Sequence, residues 1–253
     1  MNSIEKQLKD IGIHQNMSLE VHSSYKNIKT DLPPEDIIKS LQKIVTINGN
    51  IVMPTFPLSK KIELNDNDRK LGIISKSKWL PEDHNKRTDM GIIPDIFRLS
   101  ENVFTGSGQH RMSAWGKNSK EIIKDLNNLI NDNGYALLIG VDIRKLTAMH
   151  YVEYCIPNNI WPLLFSPLNP GIPKLYNSEE YFVMMDKVPK YHKGWLHVQS
   201  IAEKRRLLRH GKIGYADCML FKIKEVISIY ENEIKHNINE LFDIEYYPTI
   251  ASS

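Results

Sequence analysis

The 253-residue chain predicts an α/β fold, a β-sheet that carries helices on both of its faces. Three observations predict it. Apolar strand-like runs alternate with amphipathic helical segments. Polar residues suited to chemistry gather in loops that directly follow strands, where sites form in open α/β sheets. No internal repeat, low-complexity stretch or linker breaks the alternation, so residues 1–253 read as one domain.

Each element follows from local pattern. Ile4, Leu8 and Ile11 line one side of a short helix over residues 4–13. Ser18 to His22 reads as a strand, and Ser23-Ser24 leads into a turn. Pro33-Pro34-Glu35 opens a helix through Val45, with Asp31 as its expected N-cap and Ile37, Ile38, Leu41, Ile44 and Val45 inward. Asn48-Gly49-Asn50 is a turn, and Ile51 to Phe56 is a strand that ends at Pro54. Residues 57–86 are polar and weakly patterned, which suggests a long functional or mobile loop. Met90 to Leu99 reads as a helix, residues 102–112 as a glycine-rich loop, and residues 118–130 as another helix. The apolar run Tyr135 to Gly140 is a strand, and Thr147 stands where the N-cap of a following helix would stand. Residues 160–190 hold five prolines and one clear strand at 181–185. Residues 199–210 suit a helix, Lys212 to Phe221 a strand, Lys222 to Asn237 a helix, and the last residues a loosely attached tail.

Composition narrows the class. The formal charge is +3, from 33 basic and 30 acidic residues, too mild for nucleic-acid binding. The N-terminus has no apolar signal core, and no run approaches the roughly 20 residues of a membrane span. Cys155 and Cys218 lack CxxC spacing, so a reduced, cytoplasmic protein without a zinc site is expected.

The segment Gly140 to Glu153 carries the chemistry. It reads as strand, turn and helix, and it sets His150 and Glu153 three residues apart on one helix face. A histidine beside a carboxylate is an apparatus for removing a proton from a nucleophile. Two further polar loops, His22-Ser23-Ser24 and Ser107 to Trp115, also follow strands.

These segments occur in a recognisable order. Val21-His22-Ser23-Ser24, Met53-Pro54-Thr55, Met90-Gly91-Ile92-Ile93-Pro94-Asp95, His110 with Ala114-Trp115-Gly116, Leu137 to Val141, Thr147 with His150-x-x-Glu153, and Gly211-x-x-Gly214-x-Ala216 resemble the aminoglycoside 3-N-acetyltransferase family over roughly residues 18–235. The resemblance implies a central mixed β-sheet flanked by helices, an α/β/α fold. It implies an acyl-CoA-dependent N-acyltransferase with no required metal, His150 as general base, Glu153 orienting it, and Thr147 among the oxyanion donors. The backbone of Ser23-Ser24 is a further oxyanion candidate. Direct attack by an amine within a ternary complex is implied, because neither cysteine lies in a matched motif. The coenzyme A thioester, acetyl- or 3-hydroxybutyryl-CoA, would meet His22, Ser23, Ser24, Thr55 and His110.

The chain departs from the family at the acceptor loop. Ser107-Gly108-Gln109-His110-Arg111 stands where antibiotic-modifying members often carry His-Pro-x-His-Ser, and Leu146 stands where Asn is frequent. Ser107 and Arg111 are therefore the expected acceptor contacts. Aminoglycosides are polycations, whereas this chain is slightly basic and adds Arg111 and Lys204-Arg205-Arg206. The sequence thus favours an anionic acceptor, the amino group of a dTDP-linked 3-amino-3,6-dideoxy sugar used for surface polysaccharide. An aminoglycoside acceptor is the alternative, and a non-catalytic coenzyme A ester-binding protein is the reading from another class. A homo-oligomer is compatible with the sequence.

Overall fold

The structure, a computed structural model, describes residues 3–56, 58–107 and 110–245. In chain order its first half comprises α1 (Ser3–Ile11), β1 (Ser18–Ser23), α2 (Tyr25–Ile28), α3 (Pro34–Val45), β2 (Asn50–Pro54), β3 (Ser59–Lys61), α4 (Asp66–Lys70), β4 (Ser75–Trp79), α5 (Ile92–Arg98), β5 (Phe104–Thr105) and β6 (Met112–Gly116). The second half holds α6 (Ser119–Ile122), α7 (Asn127–Asn131), β7 (Tyr135–Ile139), 3₁₀ segments at Ile143–Lys145, Thr147–Cys155 and Trp161–Leu163, then α8 (Ile172–Leu175), β8 (Tyr181–Met184), α9 (Lys190–Lys204), β9 (Arg209–Ile213), β10 (Ala216–Lys222), α10 (Ile223–His236) and α11 (Ile238–Phe242).

Seven strands form the main sheet in the order β5-β6-β2-β1-β7-β10-β9. The three central strands run parallel, and the flanking pairs are antiparallel. Alternation along each strand sends its side chains to two cores. Leu19, Val21, Ile51, Met53, Leu137 and Ile139 pack against α1, α3 and α5. Val52, Ala114, Ala136 and Leu138 pack on the other face, against α9, α10, α11 and the Thr147–Cys155 segment. Both faces are covered, so strands such as Ala136–Ile139 are buried throughout. The expected mixed sheet between helical layers is present.

Several local expectations change. Residues 57–86 hold β3, α4 and β4, and β4 pairs with β8 in a second sheet of order β3-β4-β8. A polar stretch became ordered because Asp68 and Lys76 are buried against each other at 2.7 Å, with Tyr176 bonded to both. The N-cap position of α3 is Pro33, not Asp31. The helix expected over 118–130 divides because Asp125 Oδ1 accepts from the Asn127 amide, a local turn that competes with the helix. Helix α9 starts at Lys190, nine residues before the expected 199, with Pro189 at its cap. Lys212 to Phe221 is a hairpin rather than one strand, turned at Gly214. Gly214 has φ +60°, and a Cβ there would lie 2.2 Å from the Ile28 carbonyl oxygen. Helix α11 buries Leu241 and Phe242, while residues 246–253 of the expected tail lie outside the described residues.

Candidate active site

Strand β7 delivers the site. It ends at Ile139, and Gly140 turns the chain with φ +65°. A Cβ there would meet Asn27 Cβ at 2.7 Å, and Asn27 Nδ2 donates to the Gly140 carbonyl at 2.7 Å. Asp142 then caps the first 3₁₀ turn by accepting from the Arg144 amide. The next segment, Thr147–Cys155, is a 3₁₀ helix rather than an α-helix. Three residues per turn eclipse positions i and i+3, so Thr147, His150 and Glu153 form one ridge. His150 Nδ1 and Glu153 Oε2 lie 2.8 Å apart on it.

The start of this segment is held from another strand. Thr147 is its first residue, not its N-cap, and no side chain within the segment caps it. Instead Glu20 of β1, fully buried, accepts from the amides of Thr147 at 2.9 Å and Ala148 at 3.3 Å. The same Oε1 lies 2.7 Å from His22 Nε2. A carboxylate at a helix N-terminus satisfies free amides and matches the local dipole.

Around His150 the wall is aromatic and uncharged. The His110 ring stacks on it at 4.5 Å and 20°, and Trp195 meets it edge-on at 5.0 Å. Burial, then the neighbouring His150, holds the His110 pKa below its usual value. Burial, then Lys145 and Arg144, pushes His192 down to about 4. Burial, then Glu153, raises the Tyr191 phenol. At neutral pH these three groups are neutral. The histidine lines a cleft of about 530 Å³ whose rim includes Asn127, Asn131, Lys224 and Glu231.

Buried polar atoms without a hydrogen-bond partner lie on both faces of the sheet. Among the described residues they include Glu20 Oε2, Ser23 Oγ, Arg111 Nε and Glu153 Oε1, while Trp195 Nε1 and Tyr230 Oη approach each other without closing a hydrogen bond. Folded proteins leave few such atoms unpaired. Ser23 Oγ, at the carboxyl end of β1, suits an amide of a pantetheine arm.

The other expected residues divide. His22 is buried and bonded to Glu20, so its ring has no face for a cofactor; it serves the clamp on Thr147 instead. The Ser24 amide donates to the Ile139 carbonyl and is not free for an oxyanion. Thr55 is buried, its hydroxyl 3.0 Å from Ser113 Oγ. Ser107 is exposed. Arg111 corrects the acceptor expectation. Its carbonyl pairs with the Thr55 amide, and it shares the alternation of Ser113 and Trp115, which face α5. His110 and Arg111 thus point to opposite faces of the sheet. Lys204-Arg205-Arg206 end α9, where Arg205 lines a separate groove that meets the His150 cleft at Lys224.

Sequence reasoning missed Glu20 and the α9 residues Tyr191, His192 and Trp195. The α9 signal existed: Tyr191, Trp195, Val198 and Ala202 recur at helical spacing, hidden by the proline-rich stretch before them. Glu20 had no such signal, since alternation of polar and apolar residues reads as a half-exposed strand.

Comparison with known proteins agrees with this architecture. A family model, aminoglycoside 3-N-acetyltransferase, matches residues 21–235. The SPbeta prophage-derived aminoglycoside N(3′)-acetyltransferase-like protein YokD of Bacillus subtilis (strain 168) is 25% identical over 260 residues, covering 93% of this chain and 92% of that one. The crystal structure of YokD superposes with a TM-score of 0.67 at 23% identity, over 94% of each chain. A variant of AAC(3)-IVa in complex with a gentamicin gives 0.67 at 18%, over 94% of this chain and 89% of that one. AAC-IIIb in binary complex with CoASH gives 0.65 at 14%, over 97% and 98%. The structural likenesses show the fold. The family match spans most of the sequence, and the chain belongs to the aminoglycoside 3-N-acetyltransferase family, whose members are acetyl-CoA-dependent N-acetyltransferases. No helix among the described residues is long and apolar enough to cross a membrane.

Proposed function

We propose that this member of the family transfers the acetyl group of acetyl-CoA to an amine of an aminoglycoside-type amino sugar, with His150 as the base and the whole chain acting as one acyltransferase domain. The observation that carries the reading is the His150–Glu153 pair, joined at 2.8 Å, with the His150 ring stacked on His110 and lining a cleft. The thioester supplies an activated acyl carbonyl. Glu153 accepts from His150 Nδ1 and leaves Nε2 as the basic nitrogen. Nε2 takes the proton as the amine attacks, and His150 returns it to the departing thiolate, so no acyl-enzyme forms. The Thr147 hydroxyl lies one 3₁₀ turn before His150 on the same ridge and donates to the oxyanion. Ser23 and Ser24 hold the pantetheine arm by their hydroxyls. His110 keeps the imidazole plane fixed by stacking, and the exposed Ser107 flanks the mouth of the acceptor side.

The aminoglycoside reading replaces the nucleotide-sugar expectation as the first choice. It is supported by the family, by YokD, and by the gentamicin complex of a structural neighbour. Arg111, which argued for an anionic acceptor, points away from His150. One observation keeps the dTDP-linked amino sugar as a second reading: beyond Lys224 the cleft meets a groove with Lys222 and Arg205. Thiol release from acetyl-CoA and 3-hydroxybutyryl-CoA separates the two. Release with gentamicin or kanamycin is expected. Release only with a dTDP-3-amino sugar would select the second reading, and silence with every amine would end both.

A further inference from the structure

We propose that the cavity beside Arg111, on the sheet face opposite His150, is an oxyanion subsite that receives a phosphate group of the acyl donor. The inference rests on the acyl-CoA reading above. The cavity holds about 220 Å³, and its polar lining is Thr55, Glu82, Asp83, His84, Arg98, Thr105 and Arg111.

Its walls are built and its two arginines are unequal. Arg98 donates through Nη1 to the His84 carbonyl, through Nη2 to the Lys86 carbonyl and through Nε to Asp95. Asp95 in turn accepts from the Thr88 amide and hydroxyl. The guanidinium of Arg98 is spent on latching residues 84–88 to α5. On the other wall Thr55, Ser113 and Thr105 form a chain of hydroxyl contacts at 3.0 and 2.8 Å.

Arg111 is different. Its side chain is only 5% exposed, yet its ion pair reaches Glu82 at 3.4 Å through Nη1 alone, and Nε has no partner. A guanidinium receives carboxylate or phosphate along its Nε–Nη edge, by two parallel hydrogen bonds. Nη1 lies off that edge, which joins Nε to Nη2, so the contact with Glu82 leaves Nε open. Glu82 is 72% exposed and stands on the solvent side, a loose counter-charge that an incoming oxyanion can displace. A buried cation left this poorly paired is costly unless something else completes it.

Charge and position identify the occupant. The acceptor amine must meet His150, on the other face of the sheet. The co-substrate that carries negative charge is the donor, and Thr55 lines this cavity at the end of β2, beside the strand that ends in Ser23. A carboxylate on the acyl group offers the same chemistry from another part of the donor.

Isothermal titration of coenzyme A, dephospho-coenzyme A and pantetheine into the wild type, Arg111→Met and Glu82→Gln tests the subsite. Loss of a charge-assisted pair should weaken coenzyme A binding about 10- to 100-fold in Arg111→Met and leave pantetheine binding unchanged. Glu82→Gln alters an exposed residue, so it should fold normally and bind coenzyme A more tightly. A wild-type loss for dephospho-coenzyme A equal to that of the arginine variant would identify the 3′-phosphate; retained binding would identify the pyrophosphate. Wild-type affinity in Arg111→Met, or equal loss of pantetheine, would overturn the proposal while leaving the acyltransferase reading intact. An effect confined to succinyl-CoA, absent with acetyl-CoA, would reassign the anion to the acyl group and overturn it too. A wild type that binds none of these compounds would remove both readings.

Discussion

Two histidine–carboxylate pairs are joined through the Thr147–Cys155 segment, one bonded to its first amides and the other carried on it. His22 and Glu20 meet at 2.7 Å on β1, and His150 and Glu153 meet at 2.8 Å on the 3₁₀ segment. The first pair is closed off, with side chains 5% and 0% exposed; the second is 26% and 14% exposed. Glu20 gives one oxygen to His22 and to two backbone amides of the segment that bears the second pair. Glu153 gives one oxygen to His150 alone, and each carboxylate leaves its other oxygen unpartnered. The same two residue types hold a distant backbone segment where solvent is excluded and line a cleft where the ring is exposed. Access to solvent, rather than residue type, separates the two pairs.

The largest effect should come from the exposed pair. His150→Ala is expected to lower kcat about a hundredfold or more, with circular dichroism and melting temperature near those of the wild type. Near-normal turnover would take His150 out of the mechanism. The buried pair should show the reverse balance. Glu20→Ala strands His22 and frees two amides, so stability should fall by about 3 kcal/mol in a urea titration. Below the transition kcat should fall about tenfold through loss of the ridge's rotational phase, with the KM for acetyl-CoA unchanged. If Glu20→Ala were as slow as His150→Ala at full stability, the division between clamp and base would fail.

A third buried carboxylate sharpens the contrast from outside the site. Asp68 lies against Lys76 and Tyr176, both its oxygens bonded. Burial works to raise its pKa, but hydrogen bonds from Lys76 and Tyr176 prevail and bring it to about 2, from an ordinary 3.8. A carboxyl depressed in the folded state stabilises the protein above its unfolded pKa and loses that contribution as pH falls through the folded value. Asp68→Asn should therefore lower the melting temperature at pH 7, flatten the acid unfolding curve between about pH 4 and pH 2, and leave kcat unchanged.

Legibility in the sequence followed periodicity. Helices α3 and α10 and strands β2 and β7 were readable because their apolar spacing is regular and their ends carry turn residues. The second sheet was not, because its ordering rests on Asp68–Lys76–Tyr176, residues up to 108 positions apart. His150 and Glu153 were readable as a pair, since three-residue spacing brings them together in either kind of helix. Glu20 was not, because its partners Thr147 and Ala148 are 127 and 128 residues away. Arg111 was visible as a charge but not as a direction: its side chain lines the cavity with Arg98, while the His110 ring stacks on His150.

The sequence by itself determined the α/β class, the order of the site segments, the His150–Glu153 pair and the family. These depend on local spacing and on motif order, both written along the chain. Tertiary structure alone decided that His22 is buried against Glu20, that Trp195 and His110 pack on His150, and that Arg111 lines a cavity with Arg98 instead. Those outcomes depend on which distant groups exclude water from each side chain, and burial is a property of the packed whole.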